Sequence, residues 1–334
     1  MSVEAPKPGE MCACGHIELW HEALDHTPLH GCSYPIPCDC PGFHEPAALP
    51  AVIRPPELLP GGYTIEREIP GVGLLTFEDY PIGGWMTKRG EPAKIARRRY
   101  LLDGVELDSV SSIVGALDKP ALMIWIEQQA TLGAVQAERL GELLDVPEED
   151  WVKRVKSLGM GASAKRDEGA DRGTIIHAAF HSLATTGSPP NPAEFPALAR
   201  PWLRGAVGAW FAMDPEMESA EQIVCNPSRG YAGRFDLLAL VDGKRTLVDY
   251  KTGKGRVYDA GHYQTRLYNM ALCHEGRGVE RILIVGVADD GGWQLVDCEA
   301  TEEDALALWH TFHARKEINA GMAKQRAIAK AAAA

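Results

Sequence analysis

The residues best equipped for chemistry fall in one stretch, Gly233-Arg-Phe-Asp236-Leu-Leu-Ala-Leu-Val-Asp242-Gly243-Lys-Arg-Thr-Leu-Val-Asp249-Tyr-Lys251-Thr-Gly253. Two largely apolar runs flank Asp242-Gly243, a dipeptide that favours a two-residue hairpin turn. With those residues as the turn, Asp236 and Asp249 become cross-strand partners with Cβ atoms about 4.5–5.5 Å apart. Period-two alternation places Lys251 on the face of Asp249. Facing carboxylates on an apolar hairpin repel one another and are costly to bury, so a cation is needed to hold both ionised. Lys251 alone could be that cation, in an ordinary sheet salt bridge. Two oxygen ligands with room for water also suit Mg²⁺ or Mn²⁺, and a lysine beside such an ion can orient or deprotonate water while stabilising developing charge. That is equipment for hydrolysing a phosphodiester.

Two further motifs surround the hairpin. Gly173-Thr-Ile-Ile-His177 lies in a helical pattern upstream, and Gln264-Thr-Arg-Leu-Tyr268 downstream sets a glutamine and a tyrosine four apart on one helix face. In this order and spacing the motifs resemble the PD-(D/E)XK nuclease superfamily, specifically its RecB-like exonuclease branch with bacteriophage-encoded and CRISPR-associated members, over about residues 100–300. The resemblance implies an α/β, restriction-endonuclease-like core: a central mixed β-sheet flanked by helices. It implies Asp236 and Asp249 as metal-binding carboxylates, Lys251 as the catalytic lysine, and His177 as an added ligand from the preceding helix. Gln264 and Tyr268 match the motif that positions the lysine region and the DNA. Ser109–Ile113, Asp118–Leu122 and Trp125 resemble the opening helix of phage-type members. The implied activity is a Mg²⁺- or Mn²⁺-dependent DNA exonuclease serving recombination, repair or replication. Alternatives are a structure-specific endonuclease, or a catalytically silent nuclease fold that binds DNA or a protein partner through an amino-terminal zinc module.

Some of these relatives hold an iron–sulfur cluster with one upstream cysteine and a tight C-terminal triplet. Here Cys225, Cys273 and Cys298 are too dispersed for that, so no iron–sulfur cluster is expected. There is no G-x-x-x-x-G-K-[ST] motif for an ATP-driven motor. His177 and His181 form H-x-x-x-H without the glutamate of a zinc protease, and His181 reads as structural. Glu221 reads as a strand-edge charge.

The other cysteines cluster at the amino terminus. Cys12, Cys14, His16, His21, Cys32, Cys38 and Cys40 form a short segment poor in aliphatic residues, which needs a staple to order itself. Without a secretory leader, a tetrahedral zinc site is favoured over disulfides, its four ligands a subset of these seven. Six prolines between 41 and 60 mark a linker. The expected organisation is a zinc module over 1–45, a linker over 46–62 and a nuclease domain over 63–334, with core motifs in 165–300.

These elements sit in a chain of 334 residues with net charge −12, which excludes a protein that coats nucleic acid by bulk charge. Residues 165–278 are the exception, with 14 basic and 13 acidic side chains, whereas residues 1–60 carry 2 and 8. DNA is therefore expected near Arg234, Lys254 and Arg256, and along the Arg97-Arg98-Arg99 run. The acidic zinc module suits a replication or recombination protein as partner. No apolar run approaches the roughly 20 residues of a membrane helix, and a cytoplasmic location is expected. Zinc is tested directly: metal analysis of the purified protein should find about one equivalent, absent when Cys38 and Cys40 are replaced by serine. Metal-free wild type would refute the site.

Overall fold

The structure, a computed structural model, describes residues 62–80, 97–191, 193 and 195–332, together with two short paired strands, β1 (Met11–Cys12) and β2 (Phe43–His44). The remaining candidate zinc ligands Cys14, His16, His21, Cys32, Cys38 and Cys40, and nearly all of the linker, lie outside the described residues. An antiparallel meander follows: β3 (Tyr63–Ile69), β4 (Gly73–Tyr80), β5 (Arg97–Leu102) and β6 (Val105–Ser109). Helices α1 (Val110–Val114), α2 (Pro120–Arg139), α3 (Trp151–Ser157), α4 (Ala162–Thr186) and α5 (Arg200–Met213) lead to strands β7 (Glu216–Asn226), β8 (Tyr231–Val241) and β9 (Lys244–Thr252). The chain ends with α6 (Asp259–His274), β10 (Arg281–Val287), β11 (Trp293–Asp297) and α7 (Glu302–Ala332).

These strands form one mixed nine-stranded sheet in the order β11-β10-β9-β8-β6-β5-β4-β3, with β7 also on β8. The β9–β10 and β6–β8 pairs are parallel and the others antiparallel. Helix α6 joins β9 to β10, the crossover that a parallel pair requires. The alternating apolar residues of β8–β10 feed two cores. On one face Leu237, Ala239, Val248 and Val285 pack beneath Ile176, Phe180 and Leu183 of α4 and Leu203 and Val207 of α5. On the other, Phe235, Leu238 and Leu247 pack beneath Ile113 of α1, Leu267 and Leu272 of α6, and Leu308 of α7. A mixed sheet flanked by helices is the core expected from the sequence.

The turn between β8 and β9 is the expected one. Asp242 and Gly243 have φ of 52° and 71°, the left-handed geometry of a tight hairpin whose twist matches its strands. Thr301 caps α7, its hydroxyl accepting from Asp304 N at 3.1 Å while the Asp304 carboxylate takes the Thr301 N–H at 2.8 Å. The helix runs through Ala332, in keeping with the high helix propensity of alanine.

The meander folds back over β7 and β8, burying Ile69, Leu75, Phe77 and Tyr100 against Ile223, Cys225 and Ala232. A buried ion pair fastens it. Arg67 of β3 donates to Glu275 at the end of α6 and to the Ile223 carbonyl, and Glu275 also accepts from Cys225 N at 3.3 Å. The Glu275 side chain is 1% exposed. Removing it would strand a guanidinium and a backbone N–H in an apolar seam, so Glu275→Ala should destabilise the protein by about 3 kcal/mol. A lowered urea midpoint at unchanged m-value is the expected observation, and a loss under about 0.5 kcal/mol would refute the seam's importance.

Candidate active site

The β8–β9 ladder runs in the expected register from Val241↔Lys244 to Leu237↔Val248 and stops one step short of Asp236 and Asp249. Two carboxylates directly opposite would repel, and the strands part there instead. The Asp236 carboxylate enters the gap and accepts the Tyr250 N–H at 2.7 Å. On the other side of β8, Ala220↔Leu237 and Gln222↔Phe235 bracket Glu221, which falls opposite Asp236. Glu221, Asp236 and Asp249 thus form an acidic row across three adjacent strands.

Each acid has its own cation. Asp236 Oδ1 lies 3.2 Å from His177 Nδ1 on α4. Glu221 pairs with Arg234 through Oε2 at 3.0 Å and approaches His177 Nδ1 through Oε1 at 3.7 Å. Asp249 Oδ2 lies 2.6 Å from Lys251 Nζ. Lys251 also donates to Gln264 Oε1 at 3.1 Å, and Gln264 Nε2 donates to the Tyr268 hydroxyl at 2.8 Å, so α6 fixes the ammonium from a second direction. Gly233 makes room for this: a Cβ there would sit 2.3 Å from Tyr268 Cε1 and 3.1 Å from Val110.

The charges shift one another. Burial pushes the His177 imidazole down, but Asp236, through its charge and hydrogen bond, and then Glu221 more than reverse this and raise its pKa to about 10. Burial favours the neutral form of Asp236, yet His177 and Lys251 hold it below the usual carboxylate range. Asp249 is almost wholly enclosed, with 2% of its side chain exposed. Burial raises its carboxyl, Lys251 opposes and Asp236 adds, leaving it at about 6. Burial lowers Lys251, but Asp249 and Asp236 outweigh it and keep the ammonium charged above its ordinary range.

His177, Glu221 and Asp236 bring one ligand atom each within 4.8 Å of one another. One imidazole nitrogen and two carboxylate oxygens are a donor set that Mg²⁺ or Mn²⁺ accepts. Asp249, expected as a ligand, is outside this group and faces Lys251. Glu221, read from the sequence as a strand-edge charge, is inside it. A signal for Glu221 was present: if Pro227-Ser-Arg-Gly230 is a four-residue link, counting back from Asp236 reaches Glu221. The structure shows that link as a single helical turn closed by Gly230 at φ 67°.

The basic residues divide into two sets. Arg97 pairs with Glu106 at 2.9 Å, Arg98 with Asp79 at 2.9 Å, and Arg99 with Glu78, so carboxylates of β4 and β6 take up the run. Arg234 points inward to Glu221. Lys254 and Arg256 are exposed on the segment after β9, beside Gly253, whose carbonyl accepts from Trp202 Nε1 at 2.9 Å. His181, one turn beyond His177, does not reach the metal-ligating group.

A hairpin carrying acid and lysine, braced by helices on both faces of a mixed sheet, defines a nuclease core. The model of the PD-(D/E)XK nuclease superfamily matches residues 152–330, and the chain belongs to that superfamily. Membership makes it a nuclease fold whose substrate is nucleic acid, in a superfamily that uses divalent metals. No curated protein matches the chain. Among solved structures, that of SSO0001 is similar over 61% of this chain and 73% of its own, at 14% identity and a TM-score of 0.28. No helix among the described residues is long and apolar enough to cross a membrane.

A metal ligand must be a neutral imidazole, whereas His177 stays protonated up to a pKa of about 10, so ion and proton compete for it. Mn²⁺ affinity should therefore rise with pH, by about tenfold per unit between roughly pH 7 and 9, with about one proton released per ion. Calorimetry in buffers of different ionisation heat measures both quantities. PH-independent affinity would exclude His177 as a ligand.

Proposed function

We propose that the protein is a Mg²⁺- or Mn²⁺-dependent deoxyribonuclease that degrades DNA from its ends, akin to the RecB-like branch in phage-type recombination, repair or replication. The observation that carries this reading is the acidic row with its three cations, in which Lys251 stands beside the His177-Glu221-Asp236 group. A divalent ion held by His177, Glu221 and Asp236 would neutralise phosphodiester charge and lower the pKa of attacking water. Asp249 keeps Lys251 cationic, and Gln264 aims it. A charged Lys251 serves as hydrogen-bond donor to oxygens that gain charge in the transition state, rather than as a base. His177 and Lys251 are each about a third exposed, 33% and 29%, which gives a substrate access to an otherwise enclosed cluster. Lys254 and Arg256, exposed on the segment that follows Lys251 in the chain, would supply phosphate contacts.

A silent scaffold would have no use for three acids so costly to hold together. Digestion of end-labelled linear DNA should require Mg²⁺ or Mn²⁺ and stop in EDTA, with covalently closed circles spared. Lys251→Ala and Asp249→Ala should lower the rate by about 10²–10³-fold or more while remaining folded. Undiminished activity in both variants would overturn the enzyme reading, and cleavage of circles would convert it to an endonuclease.

A further inference from the structure

The meander β3–β5 lies outside residues 152–330, yet it reaches the site. Arg234 Nη1 donates to the Tyr63 hydroxyl at 3.1 Å, and its Cζ lies 5.4 Å from the centre of the Phe77 ring. Tyr63 meets Phe77 edge-on at 6.0 Å, and Tyr100 backs Phe77 at 4.8 Å. The guanidinium is thus boxed by a phenol, an aromatic face and the Glu221 carboxylate.

Glu221 needs such a box. It sits inside a strand at φ 51°, a left-handed conformation that is costly for a non-glycine residue and persists only when its surroundings enforce it. Arg234 takes one oxygen, Oε2, which leaves Oε1 turned toward His177 and the ligating group. A carboxylate fixed through one oxygen has less freedom to lose when the other ligates. From these contacts we infer that the amino-terminal meander is a working part of the metal site: Tyr63 and Phe77 clamp Arg234, and Arg234 holds Glu221 in place to ligate a divalent ion. The inference rests on Glu221 being a ligand, as proposed above. It makes Arg234 and Tyr63 positioning residues and removes Arg234 from the phosphate contacts expected from the sequence. The positive charge of Arg234 opposes a bound cation, so the clamp requires that fixing Glu221 outweigh this repulsion. The sign of the effect is therefore a test.

Mn²⁺ binding to the full chain is measured by calorimetry for wild type, Glu221→Gln, Arg234→Lys, Arg234→Gln and Tyr63→Phe, alongside kcat and KM for linear DNA. Tyr63→Phe keeps its ring on Phe77 and removes only the hydroxyl. Both Arg234 variants should bind Mn²⁺ about tenfold or more weakly. Tyr63→Phe should weaken it about threefold to tenfold, with KM for DNA unchanged and kcat restored at saturating Mn²⁺. Wild-type affinity in Tyr63→Phe and Arg234→Lys overturns the clamp, as does tighter binding by Arg234→Gln, or a raised KM for DNA at unchanged Mn²⁺ affinity. Glu221→Gln separates the two readings. If it weakens Mn²⁺ binding while the other variants do not, the clamp alone fails. If it binds like wild type, Glu221 is no ligand and both fail.

Discussion

Like charge crowded into a largely buried corner is the constraint that organises this protein. Glu221, Asp236 and Asp249 cross three neighbouring strands in one row, and repulsion would open the sheet unless each met a cation of its own. His177 comes from a helix on one face of the sheet, Lys251 is fixed by a helix on the other, and Arg234 is held by the meander. Three separate parts of the fold therefore converge to set a cation beside each of the three acids. A stable core had no need to gather them. The same electrostatics that burden the row would favour a cation among its oxygens.

The parting of β8 from β9 follows from that crowding. With Asp236 and Asp249 unable to complete the ladder, the Asp236 carboxylate takes the Tyr250 N–H, and the backbone group that lost its strand partner is satisfied by the acid that displaced it. Tyr250 itself stacks on Phe180 at 3.4 Å beneath α4, so the strand is fixed from the apolar side while its neighbours Asp249 and Lys251 work from the polar one. Gly233 lets Tyr268 come close enough to brace Gln264. Small residues and aromatic rings here are the mould in which the charged groups are set.

Much of the site was legible because it is local. The Asp242-Gly243 turn fixes register, and register with period two brings Asp236, Asp249 and Lys251 to one region over fewer than twenty residues of chain. Gln264 and Tyr268 were legible as one face of a helix. His177 was identifiable through its resemblance to family motifs, since nothing in a helical histidine says what it will meet. The place of Glu221 opposite Asp236 was not legible, because the two lie across a strand pair whose link, Pro227–Arg229 with Gly230, does not announce its length as Asp-Gly does. The arginine run at 97–99 shows the converse: a sequence cluster of charge says nothing of the acids placed opposite it in β4 and β6.

What the amino-acid sequence settles by itself is the class of machine: an acid-acid-lysine hairpin within an α/β chain, with a helical glutamine and tyrosine to follow. Turn chemistry and periodicity act over a few residues and need no knowledge of the rest. Only the tertiary structure decides which acid keeps which cation, because pairings such as Arg234 with Tyr63 span 171 residues and depend on how the meander closes over β7 and β8. Charges act through space, and the distances between elements far apart in the chain are set by packing.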